Sequence, residues 1–359
     1  MSKKILVLAE DYPNKNGGVT LMYIHTRNTY YKQMGIEVTV LNFSAKKSYD
    51  IDGVSVITQK DYHKINKNYD ILVIHAANIK HHYLFIRKFG SKFEKFLFFF
   101  HGHEVMRITK SYPAPYPFIS RDRFREFYQD RYDLIKLFIW KKYLPKIAYK
   151  SHFVFVSQWM KDEFYKWTKL PYGLLDYSSS IIYNCIGEEF EKNIISDVSD
   201  FKYDFVTIRN NLDGSKYGID IVNQYAKNTP KARFLVIGKG EYFTHFEKSS
   251  NIEWRNQNLS HTEIVEILSY CKFAFMPTKV DAQGLMMCEM AALGIPVITS
   301  NIPVCDEVFA DFENVYLIDN DVKESSLDFV LNNSRNIIKD SRFFAQNTIM
   351  KEVDLILNM

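Results

Sequence analysis

The sequence predicts an α/β protein of two doubly wound Rossmann-like domains facing across a cleft. Three observations carry this. Short, continuous apolar runs alternate with longer amphipathic ones; the alternation stops at a polar stretch over 187–202 and then restarts; and 359 residues suffice for two domains of ordinary size. Strands that are apolar at nearly every position belong to parallel sheets covered by helices on both faces.

In chain order, "KILVLAE" (4–10), "IEVTVLNF" (36–43), "ILVIH" (71–75), "FLFFFHG" (96–102), "HFVFVS" (152–157) and "SIIYN" (180–184) read as strands of the first domain. A turn-rich loop, "DYPNKNGG", follows the first of them and leads into a helical pattern reaching about Met34. "GEEFEKNIISDVSDFK" (187–202) is polar and aperiodic and reads as the inter-domain linker. The second domain restarts with strands "YDFVTIR" (203–209), "ARFLVIG" (232–238), "FAFMPT" (273–278), "PVITS" (296–300) and "NVYLID" (314–319). Helices over 218–228, 261–271 and 284–294 lie between them. A last amphipathic helix, about 341–358, is placed to cross back to the first domain.

Composition narrows the function classes. The chain is 47% hydrophobic and 25% charged, which is globular and not disordered, and a formal charge of +4 is too small for a nucleic-acid protein of this length. The four cysteines, Cys185, Cys271, Cys288 and Cys305, are scattered in apolar runs without a C-x-x-C pair, as in a reduced compartment. "MSKKILVLAEDY" enters a strand directly, with no signal-peptide pattern, and no apolar run approaches the roughly 20 residues that span a bilayer. These features predict a cytoplasmic protein.

The segment "DAQGLMMCEMAALGIPVITS" (281–300) is apolar except for two acids. Asp281 opens the loop leaving a strand, Gly284 starts a helix, and Glu289 stands among Met, Cys and Ala. A strand–loop–helix junction offers free amides and a helix dipole to an anion such as phosphate. A buried carboxylate needs a partner: the two hydroxyls of a ribose would serve, and so would a structural Arg or Lys. Arg209 at a strand end and Lys216 in the loop after it read either as a diphosphate clamp or as two solvated cations. "VIGKGEYF" adds a glycine turn, Gly238 and Gly240, where a backbone can approach a nucleotide.

In order along the chain, these elements resemble the retaining GT-B glycosyltransferases of family 4, the glycosyl transferases group 1. "NKNGGV", "FFFHGHE", "HFVFVSQWMKDEF" and "IIYNCIGEEF" fit the first half of that family. The most specific match is D-x7-E followed by "ALGIPVITS". The resemblance implies an acceptor-binding N-terminal domain over 1–190 plus the C-terminal helix 341–359, and a nucleotide-sugar donor-binding domain over 200–340. It implies a hexosyl- or N-acetylhexosaminyl-transferase with a nucleotide-diphosphate sugar donor, a glycan or lipid-linked glycan acceptor in bacterial surface polysaccharide synthesis, and no metal or other cofactor. By the same resemblance Arg209 and Lys216 bind the diphosphate and stabilise its departure, the amides of Gly284 and Leu285 reach phosphate, and Gly238 and Gly240 line the donor. Glu289 holds the ribose, Asp281 faces the transferred sugar, His101 sits near sugar and acceptor, and Gly17 and Gly18 keep the first loop tight. Asp281 stands where the family has Glu, and Gln283 where it has Phe; both bear on which sugar is carried.

Three further features stand beside these motifs. His75, His81, His82, His101 and His103 match no zinc spacing. The D-x-D triplets at Asp50/Asp52 and Asp319/Asp321 read as solvated turn acids. The glycine-free segment 117–150 places Phe124, Tyr128, Ile135, Phe138 and Ile139 at helical spacing. Arg121, Arg123, Arg125, Arg131, Lys136, Lys141, Lys142, Lys146 and Lys150 accompany them. It is either a core helix with a solvated basic face or a peripheral contact with the inner face of the membrane. The rival readings of the whole chain are a sugar-nucleotide epimerase of the same fold and a catalytically weakened transferase-like partner protein.

Overall fold

The structure, a computed structural model, describes residues 2–14, 21–65, 67–195 and 200–359. They divide into two compact units: 1–108, 127–185 and 345–359 in the first, 109–126 and 186–344 in the second. Residues 109–126 thus group with the second unit, not with the stretch 1–190 in which the sequence reading had put them.

The first unit holds β1 (Lys4–Ala9), β2 (Glu37–Asn42), β3 (Tyr49–Ile51), β4 (Val54–Ile57), β5 (Ile71–His75), β6 (Lys95–Phe100), β7 (Ser151–Phe155) and β8 (Ser179–Ile181). Their order is β3-β4-β2-β1-β5-β6-β7-β8, parallel throughout except for the short β3–β4 hairpin. The run "KFLFFF" is apolar because both of its faces are covered. Phe96, Phe98 and Phe100 share one face with Phe153 and Phe155, while Leu97 and Phe99 join the core on the other. The C-terminal helix Ile349–Asn358 packs into that second core through Ile349, Val353 and Ile356. It also inserts Glu352, whose two carboxylate oxygens accept from Arg27 Nε at 3.0 and 3.1 Å. Both groups are buried; the Tyr31 hydroxyl also donates to Glu352, and Arg27 Nη2 donates to Asn184 Oδ1 at 2.9 Å.

The second unit holds β9 (Tyr203–Asn211), β10 (Phe234–Lys239), β11 (Ile252–Arg255), β12 (Cys271–Phe275), β13 (Val297–Ser300) and β14 (Val315–Ile318), all parallel in the order β11-β10-β9-β12-β13-β14. This is a doubly wound sheet in which the order of strand addition reverses between β9 and β12. The crevice at that point, beyond the carboxyl ends of the strands, is where such sheets bind ligands. Arg209 on β9 and the loop after β12 both lie there.

The long helix Arg123–Ile147 corrects one expectation. Phe124, Tyr128 and Phe138 are 78%, 68% and 62% exposed, and Ile135 is exposed as well. The face that packs is Leu137, Trp140, Leu144 and Ile147. Lys136 does not belong to the basic face, because it is buried. Its Nζ donates to Asp133 Oδ1 (2.7 Å), His103 O (2.6 Å) and Met106 O (3.0 Å). Burial of these two charges is tolerable because each satisfies the other.

Candidate functional site

The loop after β12 is fixed by a closed ring of hydrogen bonds at the strand ends. Thr278 N–H donates to Ser300 Oγ (2.9 Å), the Ser300 hydroxyl donates to Asn320 Oδ1 (2.6 Å), and the Asn320 amide donates back to Thr278 O (3.1 Å). The Lys216 carbonyl ties the neighbouring loop to it, accepting from Lys279 N–H at 2.8 Å and Thr278 Oγ1 at 3.0 Å. Asp281 Oδ1 accepts from the Ala282 amide (2.7 Å) and, more weakly, from the Gln283 amide (3.4 Å), which turns the chain toward Gly284. Gly284 caps the helix Leu285–Leu293 with φ +78°, a conformation that costs little only for glycine. The first amides of that helix, at Leu285 and Met286, have no carbonyl within it to bond.

Arg209 is 7% exposed. Its Nη2 donates to Pro277 O at 2.9 Å, its guanidinium lies 5.2 Å from the Tyr217 ring, and its Nε–H has no partner. It makes no ion pair among the described residues. Burial lowers its pKa, and Asp281 is the largest charge opposing that. Arg209 and Asp281, 72 positions apart, therefore face the same space. Lys216 Nζ sits over the Tyr217 ring at 4.7 Å and the Tyr112 ring at 5.5 Å. The two glycines of the next loop have structural reasons. A β-carbon on Gly238 would fall 2.2 Å from the Arg209 carbonyl oxygen, at the register shift between Ile237 and Lys239. One on Gly240 would fall 2.7 Å from Asp213 Oδ1, which accepts the Glu241 amide. Both let β10 and its loop close against the strand that carries Arg209.

Glu289 is 2% exposed, as its apolar neighbours imply. Its Oε1 accepts from the Gly187 amide at 3.2 Å, with His261 Nε2 at 3.9 Å. The alternative partner, a structural Arg or Lys, is absent among the described residues. This also corrects the reading of 187–202 as linker from its first residue: Glu188–Lys192 is a helix, and Gly187 packs so close to His261 that a β-carbon there would meet its ring at 2.5 Å. Gly187 and His261 gave no signal in the sequence, since they reach Glu289 only through the fold.

Burial pushes the Glu289 carboxyl up to about 8, against the pull of the Gly187 amide. The folded chain therefore keeps a proton that the unfolded chain releases near its ordinary value of 4.5. The stability from this group is complete below that value and is lost as pH rises through about 8. Urea midpoints are expected to fall between roughly pH 5 and 8.5 more steeply in the native protein than in Glu289→Gln.

In the first unit, His101 is half-buried just beyond β6. Its Nε2 lies 3.2 Å from His75 Nδ1, at the end of β5, and its ring centroid 4.7 Å from that of Tyr23. The His101 backbone amide donates to the carboxylate of Glu104, so that acid caps the "HG" turn from behind. His81 Nδ1 bonds Glu10 at 2.8 Å and is stacked on Phe43. Gly17 and Gly18 lie outside the described residues. Among the described residues no group of three or more His, Cys, Asp or Glu is placed to hold a metal ion. Asp319 accepts its neighbour's amide, Asp321 N–H, at 3.0 Å, and Asp52 pairs with His25 at 2.8 Å; both are turn acids.

Residues 205–339 match the family described as glycosyl transferases group 1. Over 101 residues the chain is 33% identical to the O-antigen biosynthesis glycosyltransferase WclY of Escherichia coli, a match that covers 26% of this chain and 27% of that protein. Among solved structures, sucrose-phosphate synthase from Thermosynechococcus elongatus superposes with a TM-score of 0.71 at 13% identity, covering 99% of this chain and 98% of that one. The lipopolysaccharide outer core galactosyltransferase WaaB gives 0.60 at 12% identity, covering 99% of each chain. WaaG, a glycosyltransferase involved in lipopolysaccharide biosynthesis, gives 0.59 at 12%, covering 99% of this chain and 100% of that one. At these identities the likeness is one of fold, and the fold is GT-B.

Proposed function

Because residues 205–339 match the glycosyl transferases group 1 family, within a chain of GT-B fold, we propose that this protein is a retaining glycosyltransferase. It moves a sugar from a nucleotide-diphosphate sugar to a hydroxyl acceptor. The observation that carries the reading is Arg209: a buried guanidinium with an N–H unused, bonded to Pro277 O and near Asp281 in the loop that leads to the helix starting at Leu285. Such a cation is costly in the free protein and is repaid by an anion that brings its own charge. A diphosphate fits, with Arg209 as the fork, Lys216 as the second charge and the Gly284 and Leu285 amides at the helix N-terminus.

In this reading Glu289 takes the ribose hydroxyls and Asp281 a hydroxyl of the transferred sugar. Chemistry follows from charge. The bond between the anomeric carbon and the diphosphate oxygen breaks while that oxygen gains negative charge, which Arg209 and Lys216 offset. The acceptor oxygen bonds the anomeric carbon on the same face, and its proton passes to the departing diphosphate. His101 contacts the sugar or acceptor. Purified protein incubated with a panel of nucleotide sugars and a surface-glycan acceptor is expected to yield glycoside with the donor's anomeric configuration. A rearranged sugar nucleotide as the only product, formed without acceptor, would establish the epimerase reading instead.

The acceptor class follows the relatives named for O-antigen and lipopolysaccharide synthesis, so a lipid-linked glycan at the cytoplasmic face of the membrane is the proposed acceptor. No helix among the described residues is long and apolar enough to cross a membrane. The helix Arg123–Ile147 supports peripheral contact. Phe124, Phe127, Tyr128, Ile135 and Phe138 are exposed beside Arg123, Arg125, Arg131, Lys142 and Lys146, a pairing that suits anionic lipid. With roughly 1 kcal/mol per basic residue near such a surface, cosedimentation with phosphatidylglycerol vesicles should be strong at low salt. It should fall when Phe127 and Phe138 are both changed to Ser. Equal binding to neutral vesicles would remove this part of the proposal.

A further inference from the structure

His75 is buried, and its two ring nitrogens differ in what they meet. Nδ1 lies 3.2 Å from His101 Nε2, whereas Nε2 is buried with no hydrogen-bond partner. The ring is held in place by stacking on Phe99, 4.3 Å away at 15°. Burial and the nearby Arg27 charge keep both imidazoles well below their ordinary range, so both are neutral. A neutral pair in contact shares a single proton between the facing nitrogens, and two arrangements exist. If His101 donated, the proton of His75 would sit on Nε2, leaving a buried N–H with no acceptor, which is less readily tolerated than an unused lone pair. If His75 donates from Nδ1, its Nε2 is a bare lone pair and no N–H is orphaned.

We infer that His75 is a positioning residue that donates its Nδ1 proton to His101 Nε2 and thereby fixes His101 with its own proton on Nδ1. His101 then presents a hydrogen-bond donor to ligand oxygen and has no free nitrogen with which to accept a proton. It is not the base of the reaction. The acceptor proton must leave by another route, which agrees with transfer to the departing diphosphate. The kinetic consequence rests on the glycosyltransferase reading; the tautomer does not.

Long-range nitrogen-15 correlation spectra of the full chain read the tautomers directly. Both histidines are expected as neutral Nδ1–H forms at neutral pH. In His75→Ala, His101 should revert to the Nε2–H form that free imidazole side chains favour, and transfer should fall about tenfold in kcat with KM for the donor little changed. His75→Asn, whose side-chain amide nitrogen stands where Nδ1 stood, should restore both the Nδ1–H form of His101 and most of the activity. An Nε2–H signal for His101 in the native protein, or one that does not respond to His75→Ala in a folded variant, would overturn the inference. Tautomers as expected in a protein without transferase activity would leave it standing and count against the functional proposal alone.

Discussion

Arg209→Met is expected to lower kcat/KM for sugar transfer by about 100- to 1,000-fold, the range seen when one donor to a developing oxyanion is removed. The same change should leave the free protein at least as stable as before. The two effects have one origin. In the free protein the guanidinium is buried, bonds one carbonyl, Pro277 O, and leaves Nε–H unused. Methionine fills the space of the stem without that unsatisfied donor, whose cost is about 1–3 kcal/mol. Arg209→Lys should recover part of the activity, since it returns the charge without the fork. Steady-state kinetics paired with urea denaturation check both halves. A stable Arg209→Met variant with unchanged activity would remove Arg209 from the chemistry.

Glu352→Ala is expected to destabilise the first unit by about 3–5 kcal/mol, the usual cost of stripping a buried charge of its partner. Among the described residues, Arg27 would remain buried with Asn184 Oδ1 and the Tyr23 carbonyl as its acceptors. The Tyr31 hydroxyl would lose its acceptor as well. If the loss comes from the stranded charge, Arg27→Met combined with Glu352→Leu should recover most of it, because a well-packed apolar pair often replaces a buried ion pair without penalty. If the double variant is no more stable than Glu352→Ala, the C-terminal helix is held by its packing through Ile349, Val353 and Ile356 and not by the pair. Urea midpoints of the two variants and the native chain decide this.

What the sequence made legible follows from the range of each signal. Eleven of the described strands stand out because they are apolar runs, and the D-x7-E segment because a carboxylate among methionines and alanines has no packing reason. The strands β3, β4 and β11 carry less signal, because each is only three or four residues long and is interrupted by a polar side chain. The helix Arg123–Ile147 misled for a different reason. It has two apolar faces, and periodicity does not say which one is covered; the covered one includes Asp133 and Lys136, whose mutual pairing no apolar count detects. Glu289 was legible as a buried acid, but its partner Gly187 lies 102 positions away. Likewise His75 stands out in the sequence only within a cluster of possible metal ligands, whereas the family resemblance also puts His101 near sugar and acceptor. Their contact depends on β5 and β6 being neighbours in register, with His75 opposite Phe99, two residues before His101.

The central claim is that the second unit binds a nucleotide diphosphate through Arg209. Calorimetric titration of nucleoside diphosphates into the native chain and into Arg209→Met tests it most directly. One base is expected to bind the native chain at one site, and Arg209→Met is expected to bind it at least about tenfold more weakly, with Glu289→Gln weaker than native as well. No binding by any nucleoside diphosphate, or equal binding by native chain and Arg209→Met, would contradict the account.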